Sequence, residues 1–191
     1  MKHKLIEYFS GFTSFTANER QTLEDSMLIG EYEKGDFLSK EGQANGNSYF
    51  VLRGLVRQYR LIDGEETSTG FYSEGQWIIS LTGFAKDTTA TDYLVCHEDT
   101  TVVIGNEEKA RQLFLAFPRF ETISRVVMET VFAEQQKAMM YHLTASPEAR
   151  YQRLVETRPE LLQRVPQYQL ASYIGVKPES LSRIRKRMLG K

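Results

Sequence analysis

The sequence predicts an α+β chain: a strand-rich N-terminal domain of sandwich or barrel type, one long helix, and a C-terminal helix-turn-helix. Three observations carry this prediction. Nine glycines (positions 30, 35, 42, 46, 54, 64, 70, 75 and 83) punctuate short runs of β-branched and aromatic residues. A helical pattern that begins at Asn106 breaks at Pro118 and then resumes for about seven turns to Leu143. Near the C-terminus, "QLASYIGVKPESLSRI" sets Ala171 and Gly175 at the spacing that two steeply crossing helices need.

The elements follow in order. A short amphipathic helix opens the chain, and Thr16 followed by Glu19 fits a capping box that starts a second one. Runs such as "SYFVLRG", "LVRQYRLI" and "TSTGFYSEG" then read as short strands at roughly 8–12-residue spacing with turn signals between them. Asp63-Gly64 marks a tight hairpin turn, and "DYLVCHEDTTVVIG" reads as a last hairpin. The long helix carries two apolar stripes. One is Phe120, Ile123, Val127, Val131, Ala138 and Tyr141; the other is Met128, Phe132, Met139 and Leu143. A surface helix on one core needs a single apolar face, so two stripes predict two partners: the strand domain and the same helix of a second copy. Ile123, Val127, Val131, Ala138 and Tyr141 are the candidate dimer-helix residues, with burial inside one large domain as the alternative. Ser146 as N-cap, Pro147 at the first helical position and Glu148 in the first turn start the next helix.

Composition narrows the function classes. The 191 residues are 41% apolar, and no apolar run approaches the roughly 18 residues that span a bilayer. The opening "MKHKLIEYFS" is too short and too mixed for a secretion signal, so a cytoplasmic location is expected, without membrane contact. One cysteine, Cys96, and three scattered histidines lack metal-ligand spacing, and no metal or cofactor is expected. The net charge of −1 conceals a split. Met1 to Pro118 carries 11 Lys+Arg against 18 Asp+Glu, or −7, whereas Thr144 to Lys191 carries 10 against 4, or +6. A basic tail on an acidic body points to a polyanionic partner.

Gly175 tolerates positive φ at the turn, Ala171 lets the two helices touch, and Leu181 and Ile184 fasten the second helix to the first. Pro178 sits just inside the start of that helix, where its missing N–H costs little. The outer face then carries Glu179, Ser180, Arg183, Lys186 and Arg187, a helix suited to the major groove of double-stranded DNA. Glu179, Ser180 and Arg183 are the candidate base readers. Lys177, Arg185, Lys186 and Arg187 are candidates for the phosphates, which position a helix without reading sequence.

A glycine-punctuated roll, a long helix and a C-terminal helix-turn-helix, in that order, resemble the CRP/FNR family of bacterial transcription regulators over essentially the whole chain. "SYFVLRGLVRQYRLIDGEE" is similar to that family's central hairpin, with Gly54 at its characteristic glycine, and "EGQWIISLTGF" to the approach to its nucleotide cassette. "GVKPESLSRI" is similar to its recognition segment, with Pro178 where other members often carry an arginine. The resemblance implies a cyclic-nucleotide-binding-like domain, a jelly roll or double-stranded β-helix, over residues 1–118. It implies a dimerisation helix over 119–143 and a DNA-binding helix-turn-helix over 144–191. It also implies a homodimer on DNA, with RNA polymerase as a further candidate partner. Cyclic-AMP-binding members use a glutamate for the ribose and an arginine for the phosphate. Those places fall here on Ser80 and Ala90, with Leu81 and Thr91 beside them. A buried phosphate without a cation carries a desolvation penalty of several kcal/mol, which argues against cyclic AMP and leaves an unknown small ligand or none.

Three functions compete at this point. The first is a homodimeric DNA-binding transcription regulator, not an enzyme, whose roll senses an unidentified ligand or none. The second is a signalling module sensing a cyclic nucleotide or other small ligand and acting through protein contacts. The third is a metal-dependent jelly-roll enzyme, which needs two or three histidines and a carboxylate on neighbouring strands, whereas the roll contains only His97.

Overall fold

The fold is that of a computed structural model, which describes residues 2–44, 46–79 and 89–189. The chain divides into two compact units, Met1–Tyr59 with Phe71–Val131, and Arg60–Gly70 with Phe132–Lys191.

The described residues form eight strands, the hairpin segment Arg60–Gly70 of the fourth and fifth belonging to the second unit: β1 (Leu28–Tyr32), β2 (Phe37–Ser39), β3 (Ser48–Arg53), β4 (Val56–Ile62), β5 (Glu65–Tyr72), β6 (Trp77–Ile78), β7 (Tyr93–Cys96) and β8 (Thr100–Gly105). They form two four-stranded sheets, ordered β1-β8-β3-β6 and β2-β7-β4-β5. The pairing is nested, first strand with eighth, second with seventh, third with sixth and fourth with fifth, which is the double Greek key of a jelly roll. Asp63 and Gly64 take φ of 53° and 83°, the mirror-image turn that matches the twist of the β4–β5 hairpin.

The stretch from Tyr93 to Gly105 is not the hairpin expected from the sequence. β7 pairs with β2 and β4, while β8 pairs with β1 and β3, so the chain crosses from one sheet to the other. Leu94 and Val102 meet in the same interior cluster, and strands facing across a roll share the apolar pattern of strands paired edge to edge. The chain makes the same crossing between β3 and β4 at Gly54. Its φ is +96°, and a Cβ there would lie 2.6 Å from the Asp99 carbonyl oxygen and 2.8 Å from the Thr100 Cα. Only glycine fits that approach.

β3 shows why its run "YFVL" is apolar without a break. Tyr49 and Val51 point into the roll with Val56, Ile78, Leu94 and Val102. Phe50 and Leu52 point outward with Val103, where helix α1 (His3–Ser10) covers them through Leu5. Both faces are out of water, so both need apolar side chains. Helix α2 (Ala17–Ser26) starts at the predicted capping box, Thr16 and Glu19 each accepting from the other's backbone N–H. Helix α3 (Glu107–Ala116) is capped by Asn106.

Helix α4 (Arg119–Thr144) is the predicted long helix. Phe120 and Ile123 join Ile6 and Leu23 in a core cluster, Phe120 stacking on Phe15 at 5.7 Å. Val127 and Val131 follow on the same buried stripe. Ile123, Val127 and Val131 are therefore not dimer-helix contacts as expected, because side chains already withdrawn from water inside one chain have no apolar surface left for another. Ala138 is exposed, and half-buried Tyr141 donates to the Ala149 carbonyl at 3.0 Å. The large apolar residues that stay exposed on α4 are Phe132, Met139, Met140 and Leu143, at 45, 58, 56 and 67%.

Candidate nucleic-acid interface

The second unit holds four further helices: α5 (Pro147–Thr157), α6 (Leu161–Arg164), α7 (Gln167–Tyr173) and α8 (Pro178–Leu189). Their core is Tyr151, Leu154, Leu161, Val165, Leu170, Ala171, Ile174, Leu181 and Ile184, all buried. Ser146 caps α5 by accepting from the Ala149 N–H, with Pro147 in the first turn.

α7 ends in a Schellman motif. The Gly175 N–H donates to the Ser172 carbonyl at 3.0 Å, and the Val176 N–H reaches back to the Ala171 carbonyl at 2.9 Å. Gly175 sits between them with φ of +73°. The chain thereby reverses in three residues, and the Lys177 carbonyl accepts the first bonds of α8 from Ser180 and Leu181. Leu181 and Ile184 pin α8 inward, and Ala171, with no exposed surface, provides the close contact.

The pinning decides which side chains face water. Lys177, Glu179, Arg183, Lys186 and Arg187 are exposed, and Ser180 and Arg185 are half-buried at the flanks. Ser182 is exposed on the same face, three residues from Glu179 and four from Lys186; the sequence reading overlooked it for want of charge. The Arg183 guanidinium donates to the Ser180 hydroxyl at 3.2 Å, so the two present a joint polar surface. Arg187 is tied to Glu148 of α5 in an exposed ion pair. The Glu148 carboxyl is held below the usual carboxylate range, first by its own backbone N–H and then by Arg187. Exposed pairs of this kind contribute little to stability, so Arg187 can change partners at little cost. Arg183, Lys186, Arg187 and Glu148 line a shallow groove of about 650 Å³ beside α8.

Arg150 carries a role that no local sequence signal announces. Its Nε donates to the Ile174 carbonyl at 2.8 Å, and its Nη1 to the carbonyls of His142 and Ala145 at 2.8 and 3.0 Å. The carbonyls at a helix end lack partners within the helix, and one guanidinium here satisfies those of α4 and of the α7 turn together. The only available cue was that such orphan carbonyls need a donor from elsewhere. The Ser68 N–H of the hairpin tip donates to the Ser172 hydroxyl of α7 at 2.9 Å, another long-range tie within this unit.

Of the expected ligand-pocket residues in the roll, Ser80 and Leu81 lie outside the described residues. Ala90 is buried, its N–H donating to the Gln43 carbonyl and its own carbonyl accepting from the Gly42 N–H, both at 2.8 Å. Thr91 is exposed and donates to the Asp92 carboxylate at 3.0 Å. The buried hydrophobic cluster inside the roll is Tyr49, Val51, Val56, Ile78, Leu94 and Val102, and Tyr49 donates to the Leu38 carbonyl at 2.9 Å. Burial pushes the Cys96 thiol up to about 11, leaving it a protonated small apolar group.

Residues 29–117 match the cyclic nucleotide-binding domain family. No curated protein matches the chain in sequence. Among solved structures, the chain is similar to CLP of Xanthomonas campestris, a c-di-GMP-responsive global regulator. The TM-score is 0.68 at 18% identity, over 92% of each chain. It is also similar to the catabolite activator protein of Thermus thermophilus, with a TM-score of 0.57 at 18% identity over 94% of this chain and 86% of that one. FixK2 of Bradyrhizobium japonicum gives 0.65 at 17% identity over 86% and 85%. Residues 29–117 thus resemble a cyclic nucleotide-binding domain, and the chain has the fold of these solved structures. No helix among the described residues is long and apolar enough to cross a membrane.

Proposed function

We propose that the chain is a homodimeric, DNA-binding transcription regulator of the CRP/FNR type and not an enzyme. The observation that carries this reading is α8, held outward by the Gly175 turn with Lys177, Arg183, Lys186 and Arg187 beside its polar face. A helix of this kind enters the major groove with its N-terminal residues at base edges and its flanking cations on phosphates. Glu179, Ser180, Ser182 and Arg183 are the base-reading set, Arg183 suited to guanine and Glu179 to the cytosine amino group. Lys177, Arg185, Lys186 and Arg187 neutralise phosphates.

In this reading residues 1–118 sense, 119–143 dimerise and 144–191 bind DNA, in the cytoplasm. The exposed residues Phe132, Met139, Met140 and Leu143 form the dimer contact in place of the buried stripe. The roll does not bind cyclic AMP: Ala90 stands where a phosphate needs a cation, and its backbone groups are already paired within the chain. RNA polymerase is a further partner on this proposal.

The test is selection from a random duplex library with the full chain, followed by affinity measurement on the recovered site. The expected site is a palindrome whose half-sites lie about one helical turn apart. Failure to retain any duplex at low salt would remove the DNA reading in favour of signalling through protein contacts.

A further inference from the structure

Within the second unit, one ion pair spans two helices that the helical core holds in place. α5 is fixed by Tyr151 and Leu154 in that core, and by Arg150, whose guanidinium binds the carbonyls of His142, Ala145 and Ile174. α8 is fixed by Leu181 and Ile184. Between the two, across 39 residues of sequence, the Arg187 guanidinium donates to the Glu148 carboxylate. That carboxylate also accepts from its own backbone N–H in the first turn of α5, which fixes its direction. With the carboxyl held below the usual carboxylate range, the pair is ionised at neutral pH.

The surroundings give the pair its meaning. Glu148, Ser180, Arg183, Lys186 and Arg187 line the same groove beside α8. Three of these are cations, and Glu148 is the one acid among the described residues that line it. A guanidinium grips a carboxylate and a phosphate with the same planar fork of donors, so it cannot grip both in that way at once. While Glu148 holds it, Arg187 is already neutralised and displaces no counterion from a duplex.

We propose that Glu148 is a built-in competitor of the DNA backbone: its carboxylate holds, in the free protein, the Arg187 guanidinium that a phosphate takes in the complex. The inference rests on the DNA-binding reading and adds to it a residue that opposes binding. A phosphate carries no base identity, so the competition scales every duplex by the same factor and leaves discrimination to the base-reading set.

The test is the affinity of the full chain for the selected duplex and for a random one, across a salt series. Glu148→Gln keeps the size and an acceptor oxygen but removes the charge. It should bind both duplexes about 2–5-fold more tightly at low salt and steepen the log–log salt dependence by about one unit. Glu156→Gln makes the same charge change two turns further along α5, outside the groove, and should match the parent. In an Arg187→Ala background the gain from Glu148→Gln should vanish, because the group competed for is gone. Both members of the pair are exposed, so native circular dichroism is expected throughout. No gain for Glu148→Gln, an equal gain for Glu156→Gln, or a gain that survives Arg187→Ala would overturn the proposal and leave the DNA-binding reading standing. If neither the parent nor Glu148→Gln retains any duplex, the DNA-binding reading itself fails and the competitor with it.

Discussion

Gly175 concentrates the geometry of the α7–α8 turn in one dihedral angle. A Cβ at that position would meet the Arg150 Nη2 only at 3.5 Å and the His142 Nε2 at 3.6 Å, so the space exists and backbone strain is the whole cost. Gly175→Ala is therefore expected to destabilise the fold by about 1–2 kcal/mol, read as a lowered chemical-denaturation midpoint with unchanged slope. On the proposed DNA-binding reading, the two kinds of contact assigned to α8 separate by mutation. Arg183→Ala should weaken binding to the selected site by about 1–3 kcal/mol and relax base preference at one position. Lys186→Ala should weaken specific and random duplexes alike and flatten the log–log salt dependence by about one unit. Equal losses for Arg183→Ala on both duplexes would remove it from the readers. His142 offers a pH test. Burial, and then the Arg150 charge beside it, lower its pKa from 6.5. Above that pH the imidazole is neutral in both folded and unfolded chains. As the pH falls below it, the unfolded chain takes up the proton first, so stability drops until the folded pKa is passed and then levels off. Melting from pH 7.5 to pH 5 should show a smaller acid loss for His142→Gln than for the parent. The residues of this turn were legible from the sequence because a positive φ has few candidates. Arg150 was not, since its three acceptors come from segments eight residues upstream to 24 downstream.

Among the elements, the long helix was legible in extent and only half legible in use. Its start after Pro118 and its end before Ser146 follow from local chemistry, and two apolar stripes follow from periodicity. Which stripe is buried inside the chain depends on Ile6, Leu23 and Phe15, brought together by folding, and periodicity contains no trace of them. The exposed stripe gives the element-scale prediction. The double variant Met139→Glu with Leu143→Glu should sediment as a monomer while keeping the native circular dichroism of the parent, because both side chains are exposed in the single chain. A dimer that survives both charges would place the interface elsewhere. The β7–β8 stretch failed in the sequence reading for a related reason. A local apolar pattern says that a strand has an inward face, and says nothing about which strand lies beside it.

For the whole molecule, the charge split read from composition coincides with a structural one: an acidic roll, and a basic segment folded around α8. On the proposed DNA-binding reading, raising salt should cost affinity in proportion to the phosphates neutralised. Calorimetric titration of the full chain with cyclic AMP is expected to give no binding heat. A clear one-to-one isotherm would mean that the phosphate finds a donor set apart from Ala90.

The nested strand order also governs how the chain acquires its shape. Leu28 pairs with Ile104, so the first strand of the roll, an edge strand whose neighbour in its sheet is the eighth, waits for that strand before it has a partner. Closing so long a loop costs chain entropy before any contact returns it, and topologies of this kind fold over milliseconds to seconds, whereas small helical units reach their structure sooner. On the ribosome, β1 must therefore wait, unpaired, until residue 104 has emerged; during that interval its backbone edge is open to any other extended segment nearby.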